Sequence, residues 1–155
     1  MKDHTMSAMP HYHHLALMLF ASFVAMYVLM YSMVDRFGDV FMNLNQIYMA
    51  GLMTAPMTVI ELIVMRAMYE NARLNAIIMA IAVLVGIAMF AGIRTQAAVS
   101  DAQFLRSMIP HHSGAILMCE RASITEPEIR ELCRAITVSQ RQEIDQMVRL
   151  LGRRP

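Results

Sequence analysis

Two adjacent histidines lie between two methionines in the stretch Ser107-Met108-Ile109-Pro110-His111-His112-Ser113-Gly114-Ala115-Ile116-Leu117-Met118. Thioether sulfur suits a soft ion such as Cu(I), and imidazole suits copper, zinc, iron and nickel. In a helix, at about 100° per residue, Asp101, Phe104, Met108, His111, His112, Ala115, Met118 and Cys119 fall within one arc of about 120°. Met108 is one turn from both His111 and His112, a spacing at which two side chains can close on one ion. This arc is expected to face inward. Pro110 donates no backbone hydrogen bond and clashes with the preceding turn, so a kink that exposes both imidazoles is expected there. A purely structural role fits the same spacing. Methionine fills irregular core gaps, and adjacent histidines point about 100° apart, so that one can simply face solvent.

The elements that must hold these residues are two amphipathic helices. The first runs from about Ala97 to Ala122. Thr125-Glu126-Pro127-Glu128 starts the second, with Thr125 as cap and Pro127 in the first turn. It continues to about Leu151 with Ile129, Cys133, Ile136, Gln140, Ile144, Met147 and Leu151 on its inward stripe. Arg130, Arg134, Arg141 and Arg149 fall mostly outside that stripe. A short turn makes the helices antiparallel. Pairing Ala122 with Pro127 puts Met108 opposite about Gln140 and Arg141, and Met147 one to two turns away. Met147 then completes a site in the same hairpin only loosely, and a second hairpin could supply it instead. Two helices form a thin core, so pairing with another subunit or packing on other helices is expected. Cys119 and Cys133 come within about a turn of each other. In an oxidising compartment they would form a disulfide; in a reducing one they would be buried thiols or soft-metal ligands.

The remainder of the chain is apolar. Of 155 residues 57% are hydrophobic and 16% charged, and the mean hydropathy of +0.46 exceeds that of an ordinary soluble domain. A net charge of +1 gives no reason to expect nucleic acid as a partner. Residues 15–34, a second run within Leu44 to Met68, and Ala76 to Ile93 are each long and apolar enough to cross a bilayer. The first is read as a retained membrane helix, since no convincing cleavage site follows it. The domain boundaries that follow are 1–14, a His/Met-rich tail; 15–93, three membrane spans; and 94–155, the hairpin. The tail, with His4, His11, His13, His14, Met6 and Met9, is expected to be flexible. It is either a weak metal site or only polar.

Eighteen methionines are present, fifteen of them before Met108. Met49, Met53 and Met57 follow one another at four-residue steps along the second span, Pro56 is expected to bend it, and Glu61 continues the stripe one turn later. An ionisable group within a span points to function, although a carboxyl near the headgroups can also meet Arg66 or water. The stripe is better explained as helix packing than as a metal path. If it is packing, Glu61 should bond Ser22, Ser32 or Tyr27 of the first span. Basic residues divide almost equally between the two sides of the membrane, so charge leaves the orientation open.

The pattern Asp101-x-x-Phe104-x-x-x-Met108-Ile109-Pro110-His111-His112-x-x-Ala115-x-x-Met118, followed by Gln140-x-x-Glu143-Ile144-x-x-Met147, resembles the DUF305 family of ferritin-like helical domains over about the last third of the chain. The tail and the Glu61 stripe lie outside this resemblance. Members of that family are associated with copper binding and copper tolerance outside the cytoplasm. The resemblance implies metal roles for Met108, His111, His112, Met118 and Met147, and a periplasmic hairpin with the N-terminus inside. It also implies that a chain with one hairpin needs a partner, such as another copy, to complete a four-helix unit.

The sequence therefore predicts an all-α protein, three transmembrane helices followed by a ferritin-like antiparallel helical hairpin, in a bacterial inner membrane. Its expected work is to bind, buffer or hand on copper as Cu(I) in copper homeostasis. Enzyme activity is not expected: there is no nucleophile–base pair or phosphate loop, and the Glu-x-x-His pattern of di-iron bundles is absent. The rivals are a copper or silver transporter with a methionine-lined path, which needs a pore at a symmetry axis, and a structural subunit of a membrane complex.

Overall fold

The computed structural model describes residues 5–152. They form five α-helices and no strand: α1 (Thr5–Leu29), α2 (Leu44–Val64), α3 (Ala72–Thr95), α4 (Asp101–Arg121) and α5 (Pro127–Gly152). Three helices, at His11–Met33, Leu44–Val64 and Ala72–Thr95, are long and apolar enough to cross a membrane. Two short 3-10 turns, Met30–Met33 and Phe37–Asp39, lie between α1 and α2. The expected flexible tail is instead helical from Thr5, continuous with α1. His4 and the side chains of Met6 and Met9 lie outside the described residues.

The chain divides into two compact units. One consists of Met1–Leu29 and Ile47–Ala97. Here α2 turns its small residues inward: Ala50, Gly51, Ala55 and Thr58 are buried with Leu62. Small residues let backbones approach closely, which is how helices pack where no water drives them together. A Cβ added at Gly86 would lie 3.1 Å from that of Ala55, so glycine is what permits the α2–α3 contact. One end of this unit is polar. Tyr12 donates to Asn75 Oδ1 at 2.7 Å, Asn75 donates to the Tyr69 carbonyl at 2.7 Å, and the Asn71 side chain caps α3.

The second unit consists of Met30–Gln46 and Ala98–Pro155. Its core is Leu105, Ile109, Ile116, Ile144 and Met147, with Phe41, Met108 and Leu151 packed against it. Ser100 caps α4, and Pro127 occupies the first position of α5, where a missing N–H costs nothing. The contacts between α4 and α5 run in opposite senses along the chain. Cys119 is joined to Cys133 with Cα atoms 5.2 Å apart, His112 meets Glu143, and the Leu105 end of α4 shares a core with Met147.

The segment between α1 and α2 covers one flank of α4. Fully buried Ser113 accepts from the Asp35 N–H at 2.8 Å and donates to Asp39 Oδ2 at 2.6 Å. Gln103 Oε1 accepts the Leu44 N–H at 2.9 Å, and Asn45 donates to Ser107 Oγ at 2.9 Å. Gly114 fits because a Cβ there would come 3.3 Å from the Met33 carbonyl oxygen. Ser113→Ala strands both the Asp35 N–H and the Asp39 carboxylate, so it should destabilise this attachment by about 1–3 kcal/mol. Hydrogen exchange over residues 30–46 measures it; unchanged protection there would show that the serine does not hold the segment.

Candidate metal-binding face

The face of α4 that turns inward is not the one expected. Leu105, Ile109, His112 and Ile116 are buried, at the three- and four-residue steps of an amphipathic seam, whereas Asp101, Phe104, His111 and Met118 are exposed and Met108 and Ala115 half-buried. The physical reason is burial of branched aliphatic carbon. Turning Leu105, Ile109 and Ile116 toward α5 removes more apolar surface from water than turning Asp101, His111 and Met118 inward would. Only one imidazole is exposed, not both. The helix continues through Pro110, which is itself buried.

The register also differs. His112 pairs with Glu143, so Met108, four residues before, comes level with Met147, four residues after. The two methionines share one core cluster, rather than sitting one to two turns apart. The expected inward stripe of α5 is kept at Ile144 and Met147, which are buried, while Cys133, Ile136, Gln140 and Leu151 are half-buried and Ile129 is exposed. Arg141 lies outside and pairs with Glu120 at 2.5 Å.

Both nitrogens of His112 are engaged. Nδ1 donates to the Met108 carbonyl at 2.9 Å, and Nε2 lies 2.7 Å from Glu143 Oε2. The other Glu143 oxygen accepts from the Ser139 hydroxyl at 2.6 Å. In this Ser–Glu–His chain the carboxylate is in the middle. A hydrolytic triad needs the imidazole there, touching the nucleophile, so this arrangement orients His112 without activating Ser139. His111 has its ring centroid 6.0 Å from that of His112 and no hydrogen-bond partner among the described residues.

The Ser139 hydroxyl, and then His112, hold the Glu143 carboxyl below the usual carboxylate range against the opposing effect of burial. A carboxyl depressed in the folded state adds stability above its unfolded value, and that stability is lost as pH falls through the folded value. Protection of α4 and α5 amides should therefore weaken as the protein is acidified below the ordinary glutamate range. In Glu143→Gln that part of the acid dependence should vanish. An identical acid profile in the variant would remove Glu143 as its source.

Outside this region the candidates separate. Met49 and Met53 are exposed on α2, away from its small buried face, and Met57 and Glu61 are half-buried. The stripe therefore lies off the α2 packing surface. Among the described residues the Ser22 hydroxyl lies 3.7 Å from Met18 Sδ. Glu61 sits toward the polar end of its unit, where burial and then the Glu61 carboxylate push the Tyr69 phenol up. Among the described residues no three of histidine, cysteine, aspartate and glutamate cluster as a metal site.

Sequence reasoning missed three participants: Glu143 as the partner of His112, and Asp35 and Asp39 as anchors of Ser113. The small polar pair Ser113-Gly114 on an otherwise aliphatic flank was the available signal that backbone approaches there.

Comparison with known proteins extends the region of likeness. The family described as Domain of unknown function (DUF305) matches residues 54–151, so the matched stretch begins within α2 and takes in Met57, Glu61 and all of α3. Met49 and Met53 precede it. An uncharacterized protein of Acanthamoeba polyphaga mimivirus is 36% identical over 141 residues, covering 89% of this chain and 91% of the viral one. No solved structure matches. With well over half its length matched, this chain belongs to the DUF305 family.

Proposed function

We propose that this protein is a membrane-anchored copper-binding protein. It binds, buffers or hands on Cu(I) through methionine and histidine on α4, and α4 with α5 forms a ferritin-like antiparallel hairpin. The observation that carries this reading is the open side of α4. Met108, His111 and Met118 lie there within three turns, two thioethers and one imidazole with no hydrogen bond among the described residues, a donor set suited to a soft ion. His112 and Met147 are inner members of the set: His112 takes an ion only by exchanging Glu143 for it, and Met147 lies level with Met108.

The Cys119–Cys133 bond supports an oxidising compartment for the hairpin. Chain parity supports three crossings. If α1, α2 and α3 each span, residues 30–43 and everything after α3 share one side, as the bonds of Ser113 to Asp35 and Asp39 require. In a bacterial inner membrane that side is the periplasm and the N-terminus is cytoplasmic.

The full-length protein in detergent, titrated with Cu(I) against a chromophoric Cu(I) chelator, should withdraw copper from it. Failure to compete would sink the reading and favour a structural subunit.

The transporter reading draws on Met49, Met53, Met57 and Glu61. With Met49 and Met53 on an exposed face, such a path would have to run between copies rather than through one chain. Glu61→Gln is therefore expected to leave both assembly and hairpin Cu(I) affinity unchanged. Silver flux into liposomes that the native protein supports and this variant loses would promote the transporter reading instead.

A further inference from the structure

The two flanks of the α4–α5 seam differ in chemistry. One is covered by the chain's own segment 30–46 and includes an open cleft of about 390 Å³ among Asp35, Arg36, Asp39, Arg141, Asp145 and Arg149. The other carries Phe104, Met108, His111, Ala115 and Met118: Phe104 is 51% and Met118 55% exposed, His111 is exposed, and Met108 and Ala115 are half-buried, Met108 at the edge of the α4–α5 core. These five residues follow one another at steps of four, three, four and three, the spacing of a seam that packs against another helix. No lysine, arginine, aspartate or glutamate interrupts them.

We propose that a second copy of this chain covers this stripe and that one soft monovalent ion is shared between the two copies. The proposal rests on the copper-binding reading and names the partner that completes its site. Copies inserted in one membrane with the same orientation can be related only by an axis along the membrane normal. At a twofold axis a surface meets itself, so that residue i of one copy faces residue j of the other and j faces i. Met108 and His111 are one turn apart on α4, so a pair of copies brings two thioethers and two imidazoles to one level, whereas a single copy offers half that set. Phe104 below and Ala115 above close the apolar seam around the ion.

Silver(I) is the probe, because it is soft and redox-silent. Full-length protein in lipid nanodiscs or detergent is titrated with Ag(I), and mass and metal content are read together by native mass spectrometry. The expected result is a silver-dependent dimer holding one ion per two chains. Ala115→Arg, which alters no ligand, should abolish that dimer and weaken Ag(I) binding at least about tenfold; Phe104→Glu, at an exposed position, should do the same. One ion per monomer, unaffected by either variant, overturns the shared site and leaves the copper reading standing. A dimer that persists with Ag(I) in both variants also overturns it, since the contact would then lie elsewhere. No bound silver in the native protein overturns this proposal and the copper reading together.

Discussion

Replacing Met108, His111 and His112 together by alanine is expected to abolish Cu(I) binding by the full-length protein in a competition titration. Their single replacements should differ in order. His111 is exposed, with no hydrogen bond to give up among the described residues, so its loss removes a ready ligand. His112 is tied at Nδ1 to the Met108 carbonyl and at Nε2 to Glu143, so an ion reaches it only by displacing the carboxylate. His111→Ala should therefore weaken binding more than His112→Ala. Glu143 holds the Nε2 position that an ion would take, so Glu143→Gln should leave binding unchanged or tighten it. The reverse order of the two histidines would move the ion to the buried side, where Met147 lies level with Met108. Unchanged affinity in the triple variant would remove the site altogether.

The three long apolar helices and both amphipathic helices were legible because their signals are local. An uncharged run of twenty residues, a Pro127 start after a turn, and a three-four apolar stripe each act within one element. The facing of α4 was not legible, because two stripes on that helix have helical spacing. One holds Phe104, Met108, His111, Ala115 and Met118; the other holds Leu105, Ile109, His112 and Ile116. Periodicity cannot rank them. The choice is made by what packs there, α5 on the aliphatic stripe and residues 30–46 beside it. The register error arose in the same way. Counting from the turn assumed that Ala122 faces Pro127, but four residues, Ser123 to Glu126, intervene, and the His112–Glu143 bond fixes a different level. The cover supplied by residues 30–46 is a contact between segments some seventy residues apart in sequence. No local pattern announces such a contact.

Removing the disulfide, as Cys119→Ala with Cys133→Ala, should cost the α4–α5 pair about 3 kcal/mol, the loop-closure value for a loop of roughly fifteen residues. The bond closes a loop of that size around the turn, with a sequence separation of 14, and among the described residues the core it staples has five buried hydrophobic members, Leu105, Ile109, Ile116, Ile144 and Met147. A core that small has little stability to spare. About 3 kcal/mol corresponds to roughly a hundredfold in an opening equilibrium, so amide exchange across Leu105–Ile116 and Ile144–Met147 should quicken by about that factor. Protection in α3 and in α2 from Ile47 onward, which belong to the other unit, should stay where it was. The same loss should follow when a membrane-impermeant phosphine is added to sealed cells, because the hairpin is proposed to face outward. If only a permeant reductant quickens exchange, the hairpin faces the cytoplasm, and the periplasmic assignment falls while the stapling role stands. If exchange in the double variant matches that of the native protein, the helix seam holds without the bond, and the disulfide is not what stabilises the face that presents Met108 and His111.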